Sequence, residues 1–254
     1  MLLAIQRRTK ILELLQEEGS ARVANLSKIF KVSEPTIRQD LERLEKEGYI
    51  VREHGGAYLK SIPSQVRSLT LQHTENMDKK ARIGEKAAEF INDGDFIILD
   101  SGSTTTEIAK NLVNKKDLKI ITDSLNIALL LGSQFSFEIM VTGGEFKAPT
   151  LSLTGAKAAN FFQHIYVNKL FLATGGVSLE AGLTYPGVND LQVKRAMINA
   201  ASVVYLVADS TKIGKTSFAS LGGLELVQYL ITDDGIDRKA KDLIEKKGVK
   251  VILA

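Results

Sequence analysis

The sequence predicts an α/β chain in two parts: a helix-turn-helix unit with a β-hairpin wing, then a larger domain on a mostly parallel sheet. Three observations carry this. Up to about residue 48 the apolar residues recur at helical spacing. From about residue 95 short apolar runs alternate with helical stretches, the pattern of repeated βαβ units. Between them lies a polar stretch with one Pro, YLKSIPSQVRSLTLQHTENMDKK. The expected domains are 1–60 and 80–254, with 61–79 as linker.

The first helix covers about 4–18, with Ile11, Leu12 and Leu15 on its inner face and Gly19 at its end. The second covers about 22–30, with Val23, Leu26 and Phe30 at i, i+3, i+7. Lys31-Val32-Ser33 forms the turn. Ser33 is a natural N-cap for the third helix, Pro35 suits its first turn and Gly48 closes it. At about 100° per residue, Ile37, Leu41 and Leu44 fall on one inward stripe. Pro35, Gln39 and Glu42 then point outward, with Thr36, Arg38 and Arg43 on the shoulders. The N-terminal half of such a helix enters the DNA major groove. Ser33, Thr36, Arg38, Gln39 and Arg43 are therefore the candidate contacts on this helix: hydroxyls for phosphate or base, Arg for guanine or phosphate, Gln for adenine. Asp40 lies near the inner stripe and is expected to be a structural partner. YIVREHGGAYL (49–59) reads as two short strands around His54-Gly55-Gly56, with Arg52 and His54 placed to touch the DNA backbone or minor groove.

In the second part the runs FIILD, LKIITD, EIMVTG, KLFLAT, VVYLVAD, QYLITD and VKVILA are the expected strands. Ligands of open parallel sheets bind beyond the carboxyl ends of the strands. Three runs end in Asp-Ser, at Asp100, Asp123 and Asp209; two end in Thr-Gly-Gly, with Gly143 and Gly175 as the first glycines. After the first strand, LDSGSTTTEIA turns through hydroxyl residues into a helix. Free N–H groups and hydroxyls at a helix start suit an anionic oxygen such as a phosphate. Asp190 and Lys194, four apart, share a helix face, and Lys212 adds a cation.

Composition narrows the chemistry. The chain has 254 residues and no Cys, so disulfides, thiolate metal sites and a Cys nucleophile are excluded. The three His lie far apart, and no metal or cofactor is expected. Net charge is only +3, and residues 1–60 hold 11 basic against 9 acidic residues, so a DNA reader must gather its cations on one face. No apolar run is long enough to span a bilayer, which makes the cytoplasm the expected compartment. Gly214-Lys215-Thr216 imitates the end of a P-loop, but the upstream glycine position holds Asp209. No Gly-x-Gly-x-x-Gly follows the first strand.

VSEPTIRQDLERLEKEGYIVREHGGA (32–57) resembles the DNA-binding signature of the DeoR family of bacterial transcription regulators. KKARIGEKAAEFINDGDFIILDSGSTTTEIAKNL, ITDSLNIALLL, GLTYPGVNDLQVKRAM and VADSTKIGKTSF resemble that family's effector-binding domain, so the resemblance covers nearly the whole chain. It implies a winged helix-turn-helix reader of double-stranded operator DNA and a C-terminal domain similar in fold to ribose-5-phosphate isomerase. It also implies a phosphorylated sugar or related metabolite as effector, and a repressor that is not an enzyme; with one reader per chain, a dimer or tetramer is expected, because paired half-sites multiply the contact. By the same resemblance Gly102, Ser103, Thr104 and Thr105 hold the phosphate, Asp100, Asp123, Asp190 and Lys194 face the sugar, and Lys212 completes the anion site. The sequence departs from the family pattern at Asp123, where Asn is usual, and at Asp190, where Glu is usual; both bear on the effector's identity. Two other readings stand beside this one. One is an aldose–ketose phosphate isomerase with Asp190 as base; the other is a constitutive DNA-binding protein whose α/β domain holds nothing.

Overall fold

The computed structural model describes residues 3–18, 20–53, 55–59, 76–147 and 150–254. The chain forms two compact units, Met1–Glu75 and Asn76–Ala254.

In the first unit, helix α1 (Ala4–Glu18) leads through strand β1 (Ser20–Arg22) to α2 (Val23–Phe30) and α3 (Glu34–Lys46), followed by β2 (Ile50–Glu53) and β3 (Gly56–Leu59). The turn between α2 and α3 depends on Lys31, which takes φ 52, while the Ser27 hydroxyl donates to Val32 O at 2.6 Å. Ser33 caps α3, accepting from Thr36 N at 3.4 Å. Beyond the helix Gly48 adopts φ 82, and Tyr49 N closes back on Leu44 O at 3.1 Å, the left-handed stop that glycine favours. Ile37, Leu41 and Leu44 pack inward against Ile11, Leu15, Val23, Leu26 and Ile50, as their phase predicts. Leu12 and Phe30 are only partly covered. Strand β1 is an addition to the expected pattern: it pairs with β3, so the wing is a three-stranded antiparallel sheet in the order β1-β3-β2. Three residues are too few to show a period-2 pattern. His54 lies outside the described residues.

In the second unit all seven expected runs are strands of one parallel sheet. These are β4 (Phe96–Leu99), β5 (Lys119–Thr122), β6 (Glu138–Val141), β9 (Val167–Ala173), β12 (Ala201–Val207), β14 (Tyr229–Thr232) and β15 (Lys250–Leu253), in the order β15-β14-β12-β9-β4-β5-β6. Ile98, Leu170, Leu172, Val204 and Leu206 pack on one face; Ile97, Leu99, Phe171, Tyr205 and Val207 pack on the other. Helix α8 (Asn189–Ala200) covers the first face with Val193 and Met197. Helices α4 (Met77–Ala88) and α5 (Ser103–Lys110) cover the second with Ile83, Ala87 and Ile108. Burial on both faces explains why these strands read as near-continuous apolar runs.

The expected linker needs correcting at its end. Residues 61–75 lie outside the described residues, but Met77-Asp78-Lys79 already form the first turn of α4. Two antiparallel additions were not expected: β7 (Glu145–Lys147) with β8 (Ser152–Thr154), and a sheet of β10 (Gly176–Ser178), β11 (Gly182–Tyr185) and β13 (Ala219–Gly222). The remaining helices are α6 (Leu125–Leu131), α7 (Gly155–Asn160) and α9 (Arg238–Lys246).

Candidate functional site

On α3 the outward positions are those the phase predicted. Pro35, Arg38, Gln39, Glu42 and Arg43 are exposed, and Thr36 is half-buried. The Ser33 and Thr36 hydroxyls lie 2.9 Å apart, so the two share a hydrogen bond at the N-terminus of the helix. The cations are paired along the helix surface. Arg38 meets Glu34 at 3.0 Å, Arg43 meets Glu47 at 2.8 Å and Lys46 meets Glu42 at 2.9 Å. Exposed pairs of this kind contribute about 0–1 kcal/mol, so a phosphate or guanine can displace the carboxylates. Arg52 of the wing is held differently. Its Nε lies 2.9 Å from Glu45 Oε2 and its N–H donates to Glu45 Oε1 at 3.0 Å, which ties the wing to α3. The Arg52 side chain stays partly exposed in this pair.

Asp40 is the structural partner expected. It is buried, and Arg7 of α1 meets it at 2.6 Å with Arg8 at 3.5 Å. An Asp on the inward stripe of a recognition helix needs a cation, and Arg7-Arg8 was the nearest basic pair in the sequence. That signal was there to be used.

In the second unit β4, β5 and β6 follow one another outward on one side of the parallel sheet, and β9, β12, β14 and β15 outward on the other. The order reverses between β4 and β9, so the crevice of an open parallel sheet falls at their carboxyl ends. Asp100 stands there. Its carboxylate accepts from Ala173 N at the end of β9 (2.9 Å) and from Ser101 N (2.8 Å), and it forms a short contact with Lys194 Nζ. Lys194 also donates to Ser101 Oγ at 3.2 Å and lies 3.5 Å from Asp123 Oδ2. Ser101 Oγ donates to Asp123 Oδ2 at 3.0 Å, while the buried Asp123 Oδ1 accepts from no donor among the described residues. Asp100, Asp123 and Lys194 are thus brought together from β4, β5 and α8. Burial pushes the Asp100 carboxyl up to about 7 against the opposing Lys194, with Asp123 adding to the rise. The Lys194 ammonium is held above its ordinary value: burial works against it, and Asp100 and Asp123 outweigh burial. Tyr185, which donates to Ala173 O at 2.8 Å, is a further member that the sequence did not single out.

Next to this cluster is the start of α5. Gly102 carries no cap, and a Cβ there would meet Ala173 Cβ at 2.9 Å, so the turn passes close to β9 because it is glycine. The first helical bond runs from Thr106 N to Gly102 O at 3.0 Å, which leaves the N–H groups of Ser103, Thr104 and Thr105 ahead of it. Thr105 needs correcting. Its hydroxyl donates to Gly102 O at 2.9 Å and is fully buried, so only its N–H remains for an anion.

Asp190 and Lys194 are both buried on α8 but have different partners, because Lys194 turns to Asp100 while Asp190 receives Lys147 Nζ of β7 at 2.6 Å. Lys147 was not expected, and a lone Lys in a three-residue strand offers no pattern. The pair borders a cavity of about 450 Å³ shared with Thr154, Pro186 and Phe218. Gly175 needs correcting. Its N–H donates to Thr184 O at 3.0 Å and a Cβ would meet Ser217 Oγ at 2.9 Å, so it is a packing glycine beneath β11. Gly143, at φ 68, has open space where a Cβ would be. Lys212 is half-buried on the short 3-10 turn Ser210–Lys212, and no ion pair holds it among the described residues. No group of three or more His, Asp or Glu among the described residues is arranged to hold a metal.

A DNA-reading unit followed by an α/β unit with its polar residues at a switch point defines a helix-turn-helix regulator with a C-terminal sensor. Residues 7–62 match the DeoR-like helix-turn-helix domain and residues 75–234 match the DeoR C terminal sensor domain. The chain belongs to the DeoR family of transcriptional regulators. It is 36% identical over 251 residues to the uncharacterized regulator YulB of Bacillus subtilis, covering 98% of this chain and 96% of that one. It is 32% identical to the regulator GlpR of Haloferax volcanii, covering 99% and 98%. To the repressor GlcR of Bacillus subtilis it is also 32% identical, covering 98% and 95%. Among solved structures, ribose 5-phosphate isomerase A of Methanocaldococcus jannaschii is similar over 55% of each chain at 18% identity and a TM-score of 0.40. A likeness at that level says nothing about chemistry.

Proposed function

We propose that the protein is a repressor of carbohydrate-metabolism genes that binds operator DNA through α3 and the wing and is controlled by a phosphorylated sugar. The observation that carries this is the start of α5: three N–H groups free of helical bonds, with the Ser103 and Thr104 hydroxyls, one residue from the Asp100–Ser101–Asp123–Lys194 cluster. The N–H groups suit a phosphate, the family resemblance assigns Lys212 to it as a cation, and the carboxylates suit sugar hydroxyls. Ser33, Thr36, Arg38, Gln39 and Arg43 are the operator contacts. The regulator works in the cytoplasm as a dimer or tetramer, since paired readers on paired half-sites multiply the contact. That the Bacillus relative GlcR is named a repressor supports the sign of control.

An isomerase would need a carboxylate free to take a proton from the sugar. Asp190 is held by Lys147 at 2.6 Å, which argues against that role. The test is a thermal-shift screen with ribose 5-phosphate, glucose 6-phosphate, fructose 1-phosphate and inorganic phosphate, followed by gel shifts with duplexes selected from a random pool. Stabilisation by a sugar phosphate together with a change in DNA affinity is expected. Stabilisation without any change in DNA affinity refutes the reading, as does isomerase turnover that Asp190→Asn abolishes.

A further inference from the structure

The short turn after β12 is bound on two sides. On its inner side Asp233 takes Ser210 N at 2.6 Å and Ser210 Oγ at 2.8 Å, and Asp209 Oδ1 takes Thr211 N at 3.0 Å and the Thr211 hydroxyl. On its outer side stands the first turn of α4. Asn76 Nδ2 donates to Thr211 Oγ1 at 3.3 Å, and Lys79 Nζ donates to Ser210 Oγ at 2.7 Å while lying 3.0 Å from Asp233 Oδ2. Two relays run in parallel: Asn76 to Thr211 to Asp209, and Lys79 to Ser210 to Asp233. Both hydroxyls donate inward and accept outward, so a change of partner at either one breaks its bond to the first turn of α4.

Lys212, the next residue, is the cation assigned above to the anion. Asn76 is the first residue of the second unit, and α4 is the helix that receives the chain arriving from the DNA-reading unit. Asn76 holds a left-handed conformation, φ 55, and its side chain ties the entry of α4 to Thr211.

We propose that Asn76 and Lys79 are positioning residues that couple the Lys212 turn to the entry of α4, so that an anion gathered by Lys212 is read at the point where the sensor meets the chain from the DNA reader. The proposal rests on the phosphorylated-sugar reading of the pocket. It assigns to Asn76 and Lys79 no contact with the effector and none with DNA. When Lys212 turns toward a phosphate, Ser210 and Thr211 turn with it, and the two outward hydrogen bonds lengthen or re-form.

The test uses the full chain, a selected DNA duplex, and ribose 5-phosphate, glucose 6-phosphate and inorganic phosphate as probes. Probe affinity is measured by calorimetry, and DNA affinity with and without saturating probe. For the wild type, DNA affinity should change by about fivefold or more on probe binding, the lower end of ordinary coupling. In Asn76→Ala/Lys79→Met the probe should bind within about twofold of wild type while the DNA response falls below about twofold. Asp233 keeps the Ser210 and Gly235 donors in that variant, so the turn stays folded. Lys79→Arg should restore most of the response, and Thr211→Val, which cuts only the Asn76 relay, should reduce it. If the double variant binds probe and still responds in full, the inference fails and the pocket reading stands. If it loses probe binding as well, the two residues serve the site itself and the inference fails. If no probe binds the wild type, the pocket reading fails and this inference with it.

Discussion

Lys194→Met removes the only ammonium within reach of Asp100 and Asp123 among the described residues while keeping a side chain of similar length. Lys194 and Asp100 are 5% and 0% exposed, so the carboxylate cannot turn to water instead. Deleting one partner of a buried pair costs about 3–5 kcal/mol, because it leaves an uncompensated charge. Asp100 keeps the Ser101 and Ala173 N–H donors and Asp123 keeps the Ser101 hydroxyl, which puts the expectation near the lower end, about 3 kcal/mol. For a unit of this size that lowers the melting temperature of the sensor transition by roughly 6–12 °C at pH 8. The sign with pH follows from Asp100, whose carboxyl is pushed up to about 7. Between about pH 4 and 7 the folded state binds a proton that the unfolded chain does not, so stability from this group falls as pH rises through that window. Without Lys194 the carboxyl rises further and the penalty extends upward. The deficit of the variant should therefore shrink between pH 8 and pH 5.5, and Asp100→Asn added to Lys194→Met should recover much of it. Differential scanning calorimetry at the two pH values measures this. Equal melting of variant and wild type at pH 8, or a deficit that grows on acidification, would refute the account of the cluster.

Other perturbations separate the parts of the molecule. Arg38→Ala should weaken operator binding by about 1–3 kcal/mol in a fluorescence-anisotropy titration if it pairs with a base, and leave probe binding unaltered; loss of both would contradict the division of labour. Ser103→Ala should weaken probe binding with little change in melting, whereas Thr105→Val should lower the melting temperature, because its hydroxyl serves the Gly102 carbonyl. Asp233 opposes the trend of Asp100. Burial alone would raise it, but the Ser210 N–H, Lys79, the Ser210 hydroxyl and the Gly235 N–H together hold it at about 2. Its contribution, about 2 kcal/mol, is present above pH 4 and lost as pH falls toward 2, so wild type and Asp233→Asn should differ in urea midpoint at pH 7 and converge in acid.

What could be read from the sequence depended on whether a feature repeats. The seven parallel strands were legible because burial on both faces makes each an apolar run, and α3 because Ile37, Leu41 and Leu44 repeat at helical spacing. Strands β1, β7, β8 and β10 have three residues each, too short for any period to show. The site was legible as a set of strand ends and illegible as a set of partners. Asp190 and Lys194 lie one helical turn apart, yet tertiary neighbours take both, Lys147 for one and Asp100 for the other. Thr105 and Gly175 look like pocket residues in the sequence because hydroxyls and glycines are also what tight packing at a strand end requires.

The partners of the cluster suit sensing better than catalysis. A general base works when it is free near the reacting carbon, and here Asp100 and Asp190 are each already bound to a lysine. A sensor needs only that a ligand favour one arrangement of partners over another, by as much as the response requires. A tenfold change in DNA affinity corresponds to about 1.4 kcal/mol. One neutral hydrogen bond contributes about 0.5–1.5 kcal/mol net. The Asn76 bond is of that kind and the Lys79 bond, from an ammonium, contributes about 1.5–3 kcal/mol, so the two outward bonds together are enough for such a change. A response of that order therefore needs no large rearrangement of the parallel sheet. Under the proposed coupling, the turn after β12 holds two partners in one state and releases them in the other.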